Sequence, residues 1–353
     1  MSFVRRLVAP ATALAIFTAT ITSIGSATAA ELTPGQVAGD TPLATINPSA
    51  RTDIEPPKWR EKLNGRTDAY ELWAFSPSMQ RDVPFVVIPA HEANRPTIYL
   101  LNGADGGEGT ANWIMQTDVI DFYREKNVNV VIPMSGELSY YTDWVTEQPR
   151  LGGKQMWETF LTKELPGPIE KHLNSNNKRA IVGMSMSATT SLLYAQHNPG
   201  FYDAAGSYSG CASTSRGVSV AWVDEVLKRG GLNHTQMWGP LGTPTWHYND
   251  ALINAEKLRG TEVYVSNGSG MSGEYDMLSN PRIKSPIQQG VNKIAGGGIE
   301  AATNQCTHDL KAKMDQLGIP GDFKFRPTGT HSWGYWEEDM RTSWPTYERA
   351  FNK

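Results

Sequence analysis

The 353-residue sequence is poor in cysteine, in clustered basic residues and in histidines at metal-ligand spacing. It has 32 Lys and Arg against 36 Asp and Glu, a net charge of −4, with no basic run or stripe. Nucleic-acid binding depends on such basic clusters, so we expect no nucleic-acid partner. The seven histidines are scattered and no pair has helical ligand spacing, so we expect no metal site.

Long apolar runs are also missing after residue 30. Before that point, Arg5 and Arg6 precede the apolar stretch Leu7–Ile24, and small residues follow it. This pattern is typical of a secretory signal peptide over residues 1–30, cut after Ala29 or Ala30. The alternative is a retained membrane anchor, which the Thr, Ser and Gly within the stretch disfavour. No later segment reaches the roughly 20 apolar residues of a membrane span, so we expect a secreted protein of the cell envelope or the extracellular space.

Cysteine occurs twice, at Cys211 and Cys306, and both lie in the predicted mature chain. In an oxidising compartment two thiols of this kind usually form a disulfide rather than a reactive pair. We therefore predict a bridge between them.

The arrangement of apolar runs along the chain predicts the fold class. Residues 31–60 are rich in Pro, Thr and Asp and lack periodicity, which indicates an extended N-terminal segment before a domain over residues 61–353. Strands are predicted at Val83–Pro89, Thr97–Leu101, Val128–Pro133, Ala180–Val182, Thr261–Ser266 and Phe323–Arg326. Helices are predicted at Trp113–Lys126, Trp157–Asn174, Ser187–His197 and Ala301–Leu317. The alternation indicates an α/β fold with a mostly parallel central sheet, and residues 212–260 indicate an insertion packed over it.

The strongest local motif is Gly-x-Ser-x-Ser around Ser185. The short predicted strand ending at Val182 leads into it, and a run of small residues follows it. This matches the nucleophile elbow of the α/β-hydrolase fold, except that Ser187 stands where a second glycine is usual. A serine on such a turn is exposed at the start of a helix, whose N–H groups stabilise an oxyanion.

Two further segments fit the same chemistry. The strand at Thr97–Leu101 runs into Asn102-Gly103-Ala104 and a glycine-rich loop, where this fold places a second oxyanion donor. The alternative for this loop alone is a flexible surface turn. Near the C-terminus, His331 follows the last predicted strand, where the chain order of serine, acid and histidine places the base. Position alone leaves three candidates for the acid: Glu274, Asp276 and Glu300.

Six segments in this order resemble the mycolyltransferases of the antigen 85 family, and the overall chain is similar to the corynebacterial branch. The segments are Ile98–Gly103, Tyr140–Trp144, Trp157–Leu161, Gly183–Ser187, Met237–Pro240 and Gly329–Trp336. The resemblance implies an α/β-hydrolase fold and an acyl-enzyme formed on Ser185 with His331 as base. It implies an oxyanion hole from the N–H groups of Met186 and Ala104. It selects Glu300 as the acid, because the family's Glu precedes a Thr-Asn-Gln triplet that is found here at 303–305.

The resemblance also implies substrate contacts at Asn102, Ser187, Ser332 and Trp333. The family usually has Asp where Asn102 stands and Arg near the position of Asp105, and an amide lacks the strength of a charge-assisted hydrogen bond to a sugar.

The implied function is transfer of a mycolic or corynomycolic acyl group from trehalose monomycolate to a second trehalose monomycolate or to cell-wall arabinogalactan. No cofactor is implied, and the implied partners are these sugars, with peripheral contact to the outer lipid layer. The alternatives are a secreted carboxylesterase that uses water, a protein O-mycoloyltransferase, and a non-enzymatic surface adhesin.

Overall fold

A single sheet organises residues 41–353, the part of the chain that the computed structural model describes. Its nine strands are β1 Thr45–Asn47, β2 Tyr70–Ser76, β3 Arg81–Ile88, β4 Arg95–Leu100, β5 Asn129–Pro133, β6 Ser175–Met184, β7 Ala204–Tyr208, β8 Glu262–Asn267 and β9 Asp322–Phe325. The spatial order is β1-β2-β3-β5-β4-β6-β7-β8-β9. In this spatial order, the pairs β1–β2, β2–β3 and β3–β5 are antiparallel. The remaining pairs, from β5–β4 to β8–β9, are parallel. The predicted α/β fold with a mostly parallel sheet is confirmed.

Helices connect the parallel strands, and the last two follow β9. They are α1 Trp113–Gln116, α2 Val119–Lys126, α3 Trp157–Thr159, α4 Pro166–Leu173, α5 Met186–His197, α6 Ser219–Lys228, α7 His234–Trp238, α8 Pro244–Tyr248, α9 Pro286–Val291, α10 Gly297–Leu317, α11 Trp333–Thr342 and α12 Trp344–Phe351. Short 3-10 turns lie at Lys58–Leu63, Pro149–Leu151, Ala255–Leu258 and Glu274–Asp276, and π-helical turns at Phe160–Glu164 and Asn292–Gly296. Across residues 41–353, no helix combines the length and apolar content that a membrane crossing requires.

The apolar runs are nearly continuous because the sheet is buried on both faces. In β5, Val131 packs into one hydrophobic cluster while Val130 and Ile132 pack into another on the opposite face. Alternate residues of β6 divide in the same way, with Ile181 on one side and Val182 on the other. Strands covered on both faces carry apolar residues at every position, which is the pattern seen in the sequence.

The predicted N-terminal segment lies only partly within the described residues. The predicted signal peptide and residues 31–40 lie outside the described residues. Between residues 41 and 60, β1 pairs with β2, a 3-10 turn begins at Lys58, and Trp59 is buried in the core. Two predicted helices differ from the structure. The stretch 113–126 divides between α1 and α2 at Thr117, and the stretch 157–174 contains a π turn.

The segment between β7 and β8 forms the insertion predicted for residues 212–260. It contains α6, α7 and α8, and its Trp238 and Trp246 are buried against each other and against the main core. These tryptophans attach the insertion to the sheet domain instead of forming a second core.

Cys211 and Cys306 form the predicted disulfide, 95 residues apart in sequence. The bridge joins the loop after β7 to the middle of α10, so it ties the insertion side of the sheet to the helix that follows β8.

We expect the Cys211→Ser/Cys306→Ser variant to lose stability. A cross-link across a loop of this length removes unfolded-state entropy worth about 4–5 kcal/mol, an upper value for real bridges. Urea unfolding of the oxidised wild type and the double variant measures the difference in free energy of unfolding. Equal midpoints and slopes would contradict a stabilising bridge.

Candidate active site

Ser185 stands on a sharp turn between β6 and α5. Its backbone has φ 55° and ψ −121°, a conformation that costs on the order of 1–3 kcal/mol outside glycine. Gly183 makes the turn possible, because a Cβ at that position would lie 2.1 Å from the carbonyl oxygen of Ser187. The turn leaves Ser185 partly exposed while its neighbours are buried, as the elbow motif predicts.

Ser187 supports this turn from inside. Its hydroxyl accepts a hydrogen bond from Met184 N at 3.0 Å and lies 3.1 Å from Met184 O, to which it donates. The side chain is fully buried. The expectation that Ser187 contacts substrate is therefore corrected: it braces the elbow at the position where a glycine is usual.

His331 lies between Ser185 and Glu300. Its Nε2 is 2.7 Å from Ser185 Oγ, and its Nδ1 is 2.9 Å from Glu300 Oε2. The edge of Trp336 packs against the imidazole with ring centroids 4.9 Å apart. Neutral His331 that donates from Nδ1 to the carboxylate can accept a proton from the serine at Nε2.

The Glu300 carboxylate is buried and hydrogen bonded through both oxygens. Oε1 accepts from Gly268 N at 2.7 Å, from Ser209 Oγ at 2.8 Å and from Asn267 Nδ2 at 3.0 Å. Its exposed fraction is only 1%. A buried carboxylate requires such donors, since an unpaired buried charge is strongly unfavourable.

The other two acid candidates occupy different environments. Glu274 is exposed to solvent. Asp276 is fully buried and accepts from Thr330 Oγ1 at 2.6 Å and from Tyr335 OH at 2.7 Å. Burial, with the bond to Asp276, raises the pKa of Tyr335, so that its hydroxyl stays protonated and donates. Asp276 thus holds the residue next to His331, while Glu300 contacts the imidazole.

The two predicted oxyanion donors flank Ser185. Met186 is the first residue of α5, so its N–H has no acceptor within the helix. Ala104 follows Gly103, whose Cβ, if present, would lie 2.7 Å from the Met184 sulfur and 3.5 Å from Ser185 Cβ. The Gly103–Ala104 peptide therefore passes directly beside the serine.

Asn102 does not face this opening. Its side chain is fully buried, donates from Nδ2 to Pro133 O at 2.8 Å and accepts at Oδ1 from Trp113 N at 3.1 Å. Both ends of the amide are engaged, which corrects the expectation that Asn102 binds a sugar hydroxyl.

Ser332 and Trp333 follow His331 and are both half-buried. The Trp333 ring meets Trp113 and Trp336 edge-on, with centroids 5.4 Å and 5.2 Å apart. Ser332 begins α11. Neither residue lines the cavity described next, so any substrate contact that they make lies on another side of His331.

A cavity of about 400 Å³ opens at Ser185 and His331. It runs between α6 and the segment from α9 to α10. Its apolar walls are formed by Trp222, Val223, Val226, Val291, Ala295, Ile299 and Ala302. The shape and lining suit a hydrocarbon chain attached to a group at Ser185. Within the described chain, no set of three or more His, Cys, Asp or Glu side chains is arranged to hold a metal ion.

Several residues of the site were not predicted from the sequence. Ser209 donates to Glu300 and accepts from Trp336 Nε1 at 3.0 Å, and it adopts φ 54° at the end of β7. Asn267, the last residue of β8, and Gly268 after it complete the carboxylate's contacts. Their position at the carboxyl ends of parallel strands is the signal that could have found them, because sites in α/β sheets form there.

Comparison with known proteins identifies the family. Residues 76–347 match the family model described as Putative esterase. The chain is 32% identical over 284 residues to the diacylglycerol acyltransferase/mycolyltransferase Ag85A of Mycobacterium tuberculosis, covering 78% of this chain and 79% of that protein. It is 30% identical over 285 residues to Ag85C of Mycobacterium leprae, covering 78% and 80%.

Solved structures agree on the fold. The crystal structure of Mycobacterium tuberculosis MPT51 (FbpC1) aligns with a TM-score of 0.64 at 23% identity, over 78% of this chain and 96% of that one. An S-formylglutathione hydrolase from Agrobacterium tumefaciens aligns with a TM-score of 0.58 at 16% identity, over 81% and 98%. At these identities the structures show the α/β-hydrolase fold, and the relatives at 30% and 32% carry the family. The chain therefore belongs to the esterase family that includes the Ag85 acyltransferase/mycolyltransferases, and it is an acyl-transfer enzyme of this type.

Proposed function

We propose that the protein is a secreted mycolyltransferase that moves a mycolic acyl group from trehalose monomycolate to a second trehalose monomycolate or to cell-wall arabinogalactan. The observation that carries the proposal is the hydrogen-bonded chain Ser185–His331–Glu300 at the mouth of an apolar cavity. The names of the relatives include mycolyltransferase activity, and the sequence pattern of residues 1–30 supports secretion.

Acyl-enzyme formation uses the short contact between Ser185 and His331. As Ser185 Oγ attacks the ester carbonyl carbon, its proton passes to His331 Nε2, and Glu300 stabilises the imidazolium through Nδ1. The N–H groups of Met186 and Ala104 receive the developing oxyanion, each worth roughly 3 kcal/mol to the transition state. The carbon–oxygen bond to trehalose then breaks, and the sugar oxygen takes the proton from His331.

Acyl transfer reverses these steps with a different alcohol. A sugar hydroxyl gives its proton to His331 Nε2 and attacks the acyl carbon, and Ser185 Oγ leaves and regains the proton. Water can follow the same path, so transfer prevails only when the site holds a sugar hydroxyl at high effective concentration. Because Asn102 is buried, we assign the positioning of the acceptor sugar to Ser332 and Trp333, the two half-buried residues that follow His331.

The cavity provides the site for the acyl chain. Its apolar walls begin at Ser185 and extend between α6 and α9, so an acyl group bound to Ser185 Oγ would continue directly into it. Each buried methylene contributes about 0.8 kcal/mol, which favours long-chain over short-chain esters.

We expect Ser185→Ala to lower acyl transfer by on the order of 10⁴-fold or more, because the nucleophile is removed while the elbow keeps its shape. Labelled trehalose monomycolate, with products separated by chromatography, measures this. Wild type should produce trehalose dimycolate and trehalose. Free mycolic acid and trehalose without trehalose dimycolate would identify an esterase, and near-normal turnover by the variant would exclude Ser185 as nucleophile. A wild type that neither turns over nor reacts with a phosphonate probe would favour the adhesin.

We expect Glu300→Gln to lower kcat by on the order of 10⁴-fold with little change in KM, because the amide cannot hold the productive tautomer of His331. Glu274→Gln is the matched control, since this carboxylate is exposed and should leave kcat unchanged. A Glu300→Gln enzyme as active as the control would reassign the acid.

The cavity predicts selectivity for chain length. Val226 is half-buried in the cavity wall. A Val226→Trp substitution that displaces about two methylenes should lower kcat/KM for a long-chain p-nitrophenyl ester about tenfold. Activity on the acetyl ester should be preserved. Val145→Trp, at an exposed site outside this cavity, is the control. Equal losses on both esters would place the acyl chain elsewhere.

A further inference from the structure

One side of the cavity mouth exposes apolar side chains at helical spacing. Ile287, Val291 and Ile294 are four and three residues apart on α9 and the π turn after it, and they are 80%, 58% and 81% exposed. An amphipathic helix of a folded domain normally turns such a stripe towards the core. Here the stripe faces outward.

The opposite side of the cavity mouth also exposes apolar side chains at helical spacing. On α6 and the residue before it, Trp222 and Val218 are 41% and 72% exposed and four residues apart. Ile299, at the start of α10, is also exposed and lines the cavity together with Trp222 and Val291. We call these six residues the apolar rim: Val218, Trp222, Ile287, Val291, Ile294 and Ile299. The rim is continuous with the interior of the cavity, since three of its members belong to both.

A group of exposed apolar residues of this kind marks a binding surface, because scattered single residues would need no explanation but a contiguous patch does. On the α9 side of the rim, the charged residues of the chain segment are all basic. Residues 281–299 contain Arg282, Lys284 and Lys293 and no Asp or Glu. Arg282 is paired with Glu337, while Lys284 is exposed and Lys293 is half-buried. On the other side, Lys228 at the end of α6 and Arg229 after it balance the charges of Asp224 and Glu225 on that helix.

We propose that the apolar rim inserts into the surface of a lipid layer that contains the acyl donor, and that the lysines contact its anionic head groups. The inference rests on the proposed function, because a long acyl chain must pass from a lipid layer to Ser185. A rim immersed in the layer joins the hydrocarbon region to the cavity, so the chain moves between two apolar environments without crossing water. Apolar residues flanked by lysines are the composition of interfacial helices. A second copy of the chain on the same surface would instead cover the mouth through which the substrate enters.

The test uses Ile287→Gln/Ile294→Gln, since neither residue lines the cavity or contacts the catalytic residues. The control is Leu43→Gln/Val145→Gln, which removes two exposed apolar side chains outside the rim. Co-sedimentation with vesicles of phosphatidylcholine and phosphatidylglycerol measures the partition coefficient. We expect wild type and control to bind and the rim variant to bind at least about tenfold more weakly, because at least two apolar groups leave the layer. Hydrolysis of the water-soluble acetyl ester should be equal in all three proteins.

Ser185→Ala should bind the vesicles as wild type does, which separates docking from turnover. If that variant binds but wild type fails to use trehalose monomycolate, the proposed function falls and the docking surface stands. Equal vesicle binding by the rim variant and the control would overturn the docking proposal. So would a wild-type dimer in sedimentation velocity that the rim substitutions dissociate, since the rim would then join two copies.

Discussion

The buried carboxylate of Glu300 connects the parts of the molecule that form the site. Three donors approach one of its oxygens, from the ends of β7 and β8, and the imidazole of His331 approaches the other. Because an ionised carboxylate at 1% exposure is stable only with such partners, the loops that supply them are held at fixed positions. The loop that bears His331 is held at a second point, where Asp276 binds Thr330.

Helix α10 keeps that carboxylate in place. Thr307 Oγ1 donates to Asn267 Oδ1 at 2.8 Å, and Asn304 Nδ2 donates to Gly268 O at 2.9 Å. Cys306 links the same helix to Cys211, two residues after Ser209. One face of the helix is thus bonded to the ends of β7 and β8, which carry the donors to Glu300. The disulfide and the hydrogen bonds of α10 therefore hold the same strand ends in place. These strand ends position Glu300, which orients the imidazole of His331.

The sequence predicts those features of the site that depend on residues close together in the chain. The elbow could be found because Gly183 and Ser185 lie within one turn and require a strand before them and a helix after them. The choice of Glu300 from three acids needed the resemblance, because it depends on where α10 begins after a π turn that no local pattern indicated.

Strand β7 is not among the strands predicted from the sequence, and the reason is steric. Its residues Ala204, Ala205 and Gly206 lack the branched side chains that favour strands. A Cβ at Gly206 would lie 1.9 Å from the Tyr347 hydroxyl, so the close approach of α12 requires a glycine at this position of the strand. Tertiary packing here opposes the local β propensity.

The buried amide of Asn102 restricts which residues can replace it. Its Nδ2 donates to Pro133 O and its Oδ1 accepts from Trp113 N, so one side chain joins the end of β5 to the start of α1. A carboxylate in this position could still accept from Trp113 N, but its other oxygen would face the Pro133 carbonyl with no proton between them. Two acceptors at 2.8 Å repel each other. An ionised aspartate at this position would therefore place two acceptors in contact unless the backbone around it presented a donor.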